Sequence, residues 1–309
     1  MKYLILVAVL GFFMAGCATV PQPVIVPTDV SPVVSKVLEQ EKDGRFLKRK
    51  VAIARFSNET TYGKGLFSGE DVIGKQAADI LSAKLAQTEK FILFESNFVE
   101  DQATSFKNLE IPADFLIIGS VAEFGRNATG DTGVFSRTKK QTAFAKIFVR
   151  LIDVSSGQII YGDEGAGESS IETGTTFGGG SSAGYDSSLN DKAIEAAISK
   201  LVNNIVENLL HNSWRSYILD IDGENIVISG GKMQGMRTGD VFDVIKKGKT
   251  VTNPQTGLEI ELPGTKVAVL KVLAFAGETS ETEIAICNLV SGQIGDDSTK
   301  YYIQEPEDR

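Results

Sequence analysis

Histidine and cysteine are nearly missing from this chain of 309 residues, which has one histidine, His211, and two cysteines, Cys17 and Cys287. With a single imidazole, His-based zinc sites and the Ser-His-Asp and Cys-His catalytic pairs are excluded unless His211 itself serves. His211 falls at the end of a helical stripe, where a cation interacts favourably with the last carbonyls, and that structural role accounts for it. Basic charge is also short. Lys and Arg number 31 against 40 Asp and Glu, a net charge of −9, so the basic patch of a nucleic-acid-binding protein is lacking and nucleic acid is not a partner. The apolar run Leu4 to Phe13 falls short of the roughly 20 residues that span a hydrocarbon core.

That short run has another meaning in its context. Lys2 precedes it and Met14-Ala15-Gly16-Cys17 follows it, which is the grammar of a secretory signal: a charged start, an apolar stretch and small residues at the cleavage point. The cysteine after Ala15-Gly16 resembles a lipobox, the sequence at which bacterial lipoprotein precursors are lipidated and cut. Residues 1–16 then read as the signal peptide and Cys17 as the first mature residue, tied to the lipid bilayer by acyl chains; two or more chains hold a protein stably, at roughly 0.8 kcal/mol per buried methylene. Ala18 replaces the Asp that often marks retention in the inner membrane, so the resemblance implies the periplasmic face of the outer membrane. Lipidation consumes Cys17 and leaves Cys287 with no intramolecular partner. Cys287 lies in the apolar run Ile284-Ala285-Ile286-Cys287, where an inert buried thiol is expected.

The mature part exceeds the size of one compact core, so two folded units and a tether are expected. Residues 17–46 carry Pro21, Pro23, Pro27 and Pro32 and read as the lipidated N-terminus and a linker. Residues 47–213 alternate strand and helix signals. Lys50 to Phe56 is an apolar run of strand length, and Ile73, Ala77, Ile80, Leu81 and Leu85 recur at helical spacing, which predicts an amphipathic helix on a sheet. Phe91 to Phe94 and Phe115 to Val121 read as strands covered on both faces. Ala145 to Leu151 alternates as a half-exposed strand, and Asp153 to Tyr161 supplies a turn and a returning strand. Ile194, Ile198, Leu201, Ile205 and Leu209 form the stripe of a long last helix. These elements predict an α/β sandwich. In residues 214–309, strand-length runs at Asn225 to Ser229, Val241 to Lys246, Leu258 to Leu262, Val267 to Phe275 and Ile284 to Leu289 are separated by turn residues, which predicts a small all-β barrel or sandwich.

The order of elements in the first unit resembles the CsgG family, the curli production channel and its relatives. The segments that carry the likeness are Gly74 to Leu81, Phe91 to Glu95, Ala113 to Ser120 and Val149 to Ile159. Gly235 to Val244, with Asn253-Pro254-Gln255-Thr256-Gly257 after it, is similar to the C-terminal domain of the flagellar assembly T protein, an interaction module. The family resemblance implies an outer-membrane lipoprotein forming a homo-oligomeric ring, a subunit in secretion or assembly of surface fibres, with a secreted fibre subunit or periplasmic assembly proteins as partners. No enzymatic activity, metal or cofactor is implied. A non-inserting periplasmic scaffold or binding lipoprotein is the alternative.

In the curli channel each subunit contributes two membrane hairpins to a shared barrel. The corresponding β-hairpin extensions here are residues 124–148 and 163–190. Membrane strands need about 9 to 11 residues with alternating apolar side chains, and Ile171, Thr173, Thr175 and Phe177 are the membrane-hairpin candidates by that measure. Arg137, Lys139 and Lys140 must then sit in a turn or an interface, because a charge at the bilayer midplane costs about 2 to 4 kcal/mol. The family's pore constriction lies in the loop after the first strand; Tyr62 and Phe67 are the residues offered there, with a plainer role as anchors of the turn beside it. Gly63-Lys64-Gly65 and Gly178-Gly179-Gly180 lack the ending of a phosphate loop. An enzyme would need a constellation such as Asp163 with Glu164, and no nucleophile or acid/base set accompanies that pair.

Overall fold

The computed structural model describes residues 46–62, 71–96, 113–132, 136–176, 179–180, 188–252, 254–255, 257 and 259–306. Cys17, Phe67 and Phe177 lie outside them.

The first unit is a mixed sheet with helices on one face. β1 (Arg49–Ala54) runs parallel to β3 (Phe91–Ser96) on one side and to β4 (Phe115–Thr132) on the other. β2 (Ser57–Asn58) also lies along β4. From β4 the sheet continues antiparallel through β5 (Ser136–Asp153) and β6 (Gln158–Thr176) to the two-residue β7 (Gly179–Gly180). β1 reads as an unbroken apolar run because both its faces are covered. Val51 and Ile53 join the core under the helices, while Ala52 and Ala54 pack with Leu116, Ile118 and Ile152 in a second cluster.

Two helices cover the first face among the described residues: α1 (Val72–Gln87) and α2 (Ser188–His211). Asp71 caps α1, its side chain accepting the Gly74 N–H at 2.9 Å and satisfying one of the orphan donors of the first turn. Ala77, Leu81 and Leu85 of α1 and Ile194, Ile198, Leu201 and Leu209 of α2 are buried, as their spacing predicts. On the outer side of the layer Lys84 pairs with Glu195 at 2.7 Å and ties α1 to α2. The mixed sheet with its two helices fits the coarser α/β expectation.

β6 explains how closely α2 approaches the sheet. A Cβ on Gly165 would lie 2.3 Å from the Ala197 carbonyl oxygen, and one on Gly167 would lie 2.2 Å from that of Ala193. Only glycine lets the helix backbone settle at this distance. Of the second extension, residues 163–190, the described part comprises the far half of one 19-residue strand, the β7 stub and the start of α2 at Ser188; residues 177–178 and 181–187 lie outside the described residues.

The second unit is a sheet of seven strands in the order β8-β16-β11-β14-β15-β10-β9. In chain order these are β8 (Arg215–Ser216), β9 (Ile218–Asp222), β10 (Asn225–Ser229), β11 (Val241–Lys246), β14 (Thr265–Ala276), β15 (Ile284–Gly292) and β16 (Tyr301–Gln304). Its two edge strands are consecutive in the chain, and Ser229 N–H donates to the Tyr217 carbonyl at 3.0 Å beside them, so the sheet curls nearly closed into a small barrel. Trp214 and Phe242, ring centroids 5.2 Å apart, fill its centre. β12 (Thr250–Thr252) and β13 (Glu259–Glu261) pair only with each other, so the run at 258–262 forms a separate hairpin. Leu47, which precedes β1, packs in the barrel core and not in the first one.

Candidate functional site

The feature that stands out from the α/β layer is a blade formed by β4, β5 and β6. Each strand has 18 or 19 residues, about three times the usual strand length. At its base the blade belongs to the core: Val121, Phe124, Ala143, Ala145 and Ile147 are buried in the first cluster with residues of both helices. Tyr62 meets Phe124 edge-on at 4.8 Å between centroids, and its carbonyl accepts the Asn58 side-chain amide at 3.0 Å. The turn after β2 is thereby fixed to the base of the blade.

Beyond the base, apolar residues give way to polar ones. Residues directly opposite in antiparallel strands share a face. On the helix side Ile171 faces Gln141 and Ala128, and Thr173 faces Lys139 and Gly130; Thr175 is in register with Arg137 and Thr132. Ile171 is half-buried against the first core, so much of its apolar surface is already used. Gln141 is buried and accepts a 3.1 Å hydrogen bond from Arg126. On the opposite side Glu172 faces Lys140 and Thr129, and Ser170 faces Thr142 and Asn127. The cations Lys139 and Lys140 thus sit within β5 and not in a turn, on opposite faces, because alternate residues of a strand point opposite ways.

Closer to the base, the outer face carries Phe144 and Phe148, 36 % and 39 % exposed. Lys146 lies between them, pairs with Glu164 at 3.0 Å and stands 5.2 Å from the centroid of the Phe148 ring.

Among the described residues β6 pairs on its outer side with β7 alone, at Thr175 and Thr176. Its lower half is capped by side chains. Asp163 accepts hydrogen bonds from Tyr161 at 2.7 Å, from Asn204 of α2 at 2.8 Å and from the Glu164 N–H at 2.8 Å. Burial works against the Asp163 carboxylate, but the three donors outweigh it and hold its pKa below the usual carboxylate value. The Tyr161 hydroxyl is pushed up to about 12 by burial and by the carboxylate it donates to. Asp163 and Glu164 are committed to different partners. One is bound to Tyr161 and Asn204, the other to Lys146 on the opposite face. Among the described residues no group of three or more His, Cys, Asp and Glu is placed to hold a metal ion, and no helix is long and apolar enough to cross a membrane.

A helix-covered mixed sheet with an elongated antiparallel blade, joined to a small barrel, defines a class of α/β proteins with an extended sheet. Residues 34–239 match the family described as curli production assembly/transport component CsgG, and the chain belongs to that family. It is similar to a protein of Neisseria meningitidis serogroup B described as a lipoprotein, NMB1126/NMB1164, with 31% identity over 224 residues covering 68% of this chain and 96% of the relative. Among solved structures, the PelC dodecamer of Paraburkholderia phytofirmans is 19% identical, covering 51% of this chain and 87% of its own, at a TM-score of 0.28. Lipoprotein GNA1162 of Neisseria meningitidis is 14% identical, covering 53% and 99%, at a TM-score of 0.29. With TM-scores below 0.5, neither likeness bears on how this chain assembles.

The sequence pattern does not show the glycine contact between β6 and α2 or the capping of the β6 edge. Gly165 and Gly167 two apart on one face, with Ala193 and Ala197 at helical spacing, are the signal that could have found the first.

Proposed function

We propose that the chain is an outer-membrane lipoprotein of the CsgG type, held at the periplasmic face through acylated Cys17, which self-associates into a ring and serves as a scaffold in the secretion or assembly of surface fibres without inserting its blade. Met14-Ala15-Gly16-Cys17 and the description of the Neisseria relative as a lipoprotein support the anchor. The observation that carries the non-inserting part is the polarity of both blade faces above the base. One offers Lys139 beside Thr173, the other Lys140 beside Glu172, and a cation at the midplane of a bilayer costs about 2 to 4 kcal/mol. The upper edge of β6 supports self-association: from Glu168 to Gly174 it has no strand partner among the described residues, and such an edge is a template for pairing with another chain.

A second reading, a curli-like export channel, is favoured by strand length. β4 and β5 have 18 residues each, enough for a core strand and a membrane strand of about 9 to 11 residues end to end. Planar-bilayer recording of the purified lipidated protein separates the two. Rings visible by electron microscopy that leave the bilayer electrically silent are expected; stepwise conductance that vanishes on deletion of residues 171–185 would establish the channel instead.

A further inference from the structure

Among the described residues, one pair of strands in the second unit belongs to no sheet but its own. Between β11 and β14 the chain leaves the barrel wall, and β12 and β13 pair with Thr250 opposite Glu261 and Val251 opposite Ile260. The Leu262 N–H donates to the Lys249 carbonyl at 3.0 Å, which continues the ladder by one pair towards the barrel. Opposite residues share a face and successive ones do not, so Lys249, Val251, Ile260 and Leu262 lie on one face and Thr250, Thr252 and Glu261 on the other. Val251, Ile260 and Leu262 are 41 %, 44 % and 43 % exposed. A two-stranded hairpin alone is marginally stable in water, and this one leaves open the face that would ordinarily be buried.

The charge beside this open face is of one sign. Lys246 and Lys247 lead into the hairpin and Lys249 stands on the apolar face itself. All three are exposed, and their side chains make no ion pair or hydrogen bond among the described residues. Two further cations at the root of the hairpin are already taken, Lys266 by Asp243 at 2.7 Å and Lys300 by Asp297 at 3.0 Å. Glu261 lies with the threonines on the other face. In a chain of net charge −9, the run Lys246-Lys247-Gly248-Lys249 is a local reversal of sign. The N-terminal stretch brings this unit within reach of a membrane. It enters the structure through Phe46, packed against the first core, and Leu47, buried in the barrel core. Residues 18–45 before them can span up to roughly 100 Å, so an acyl anchor at Cys17 permits the barrel to lie against the same surface.

Exposed apolar side chains framed by unpaired lysines have the chemistry of a water–bilayer boundary, where apolar groups enter below the headgroups and ammonium groups stay at the level of the phosphates. We propose that the β12–β13 hairpin docks on an anionic lipid surface, with Val251, Ile260 and Leu262 dipping below the headgroups and Lys246, Lys247 and Lys249 against lipid phosphates. The barrel then has a membrane contact of its own. An acidic protein would meet the same charges, but a stable protein interface takes about 800 Å² from each partner, more than a hairpin with three residues in each strand offers. A lipid contact has no such threshold, because a basic patch adds to an acyl chain that already holds the protein. The inference rests on the lipoprotein reading above for nearness to the bilayer, and on neither the ring nor the fibre role.

Val251→Trp puts a fluorophore on the open face, while Trp214, the only native tryptophan, is buried in the barrel core and supplies a constant background. The full-length lipidated protein with this substitution is added to vesicles of equal parts phosphatidylglycerol and phosphatidylcholine whose acyl chains carry bromine as a quencher. Its emission should be quenched, less so in added salt, and little on vesicles of phosphatidylcholine alone. Lys246→Gln, Lys247→Gln and Lys249→Gln together should weaken docking about a hundredfold, roughly fivefold per lysine, and bring quenching down to the level of neutral vesicles. Ile159→Trp, at an exposed position of β6 in the first unit, should stay unquenched. No quenching of the Val251→Trp protein on anionic vesicles, equal quenching on neutral ones or in the lysine variant, or equal quenching in Ile159→Trp would overturn the proposal. A blue shift of the Val251→Trp protein with soluble polyglutamate, without quenching on vesicles, would assign the face to an acidic polypeptide instead. Flotation of the parent with phosphatidylcholine vesicles reads the acyl anchor separately; a parent that does not float refutes the anchor, while quenching on anionic vesicles still decides the hairpin.

Discussion

Lys200 of α2 reaches across the border of the sheet and donates a 2.6 Å hydrogen bond to the carbonyl oxygen of Ala166 in β6. Two residues earlier on the same edge, Asp163 accepts the N–H of Glu164. Side chains thus occupy groups that an incoming strand would use along the lower half of β6, whereas its upper half has no such cover among the described residues. Lys200→Ala should remove one exposed hydrogen bond, at a cost of about 1 kcal/mol in denaturant unfolding, and should increase self-association measured by light scattering. A variant no more prone to associate than the parent would mean that this edge is guarded by something else.

Tyr161 and Asp163 make the protein sensitive at high pH. The folded-state pKa of Tyr161 is raised from 10.0 to about 12, so the neutral phenol is favoured by folding. Its contribution is fully present below pH 10 and disappears as pH rises toward 12. Because the pair is partly solvated, the effect should be about 1 kcal/mol, well under the full linkage value. Unfolding free energies measured by urea titration between pH 9 and about pH 12 should fall in the parent and fall less in Tyr161→Phe.

Gly167 governs the seating of α2. In Gly167→Ala the added methyl would lie 2.2 Å from the Ala193 carbonyl oxygen and 2.4 Å from the Ala197 nitrogen, both backbone atoms, so the helix must lift. The expected loss is about 3 kcal/mol or more, visible as a lower melting temperature by circular dichroism. Gly162→Ala, whose nearest new contact would be at 3.8 Å, is the matched control and should be nearly neutral.

Cys287 should be chemically silent in the native state. It is fully buried between strands of the barrel, and burial pushes its thiol up to about 12, so the reactive thiolate is scarce at neutral pH. Iodoacetamide at pH 8 should leave it unmodified until denaturant is added, and mass spectrometry would show this directly. Rapid labelling of the folded protein would contradict the burial.

Much of the fold was legible because its signals are local. β10 and β11 coincide with the runs at Asn225 to Ser229 and Val241 to Lys246, and the stripe from Ile73 to Leu85 is the buried side of α1. The returning strand after Gly157 is visible only as far as Tyr161, because beyond it glycines and serines replace the apolar alternation that marks a half-buried strand. Gly165 and Gly167 are strand residues all the same, required by how close α2 comes. What the two units place side by side could not be read at all: Asp114 and Asp153 are neighbours through the β4–β5 register, but Tyr217 joins them only where the barrel meets the sheet. The polarity of the blade is intermediate: its residues are plain in the sequence, but which of them share a face follows from register.

The place of Leu47 has a mechanical consequence. Leu47 is seated in the barrel core, Lys48 donates its N–H to the Gln234 carbonyl at 2.8 Å, and Gln234 returns a bond to the Lys48 carbonyl at 3.2 Å. One residue further on, Arg49 grips Asn212 and begins β1, the strand flanked by β3 and β4. Tension arriving along the chain from the N-terminal side therefore meets Phe46, packed against the first core, and then Leu47 in the barrel, before it reaches β1. The load is divided between the two units, an aromatic contact on one side and a hydrophobic plug with a pair of clamping bonds on the other, before β1 itself is pulled.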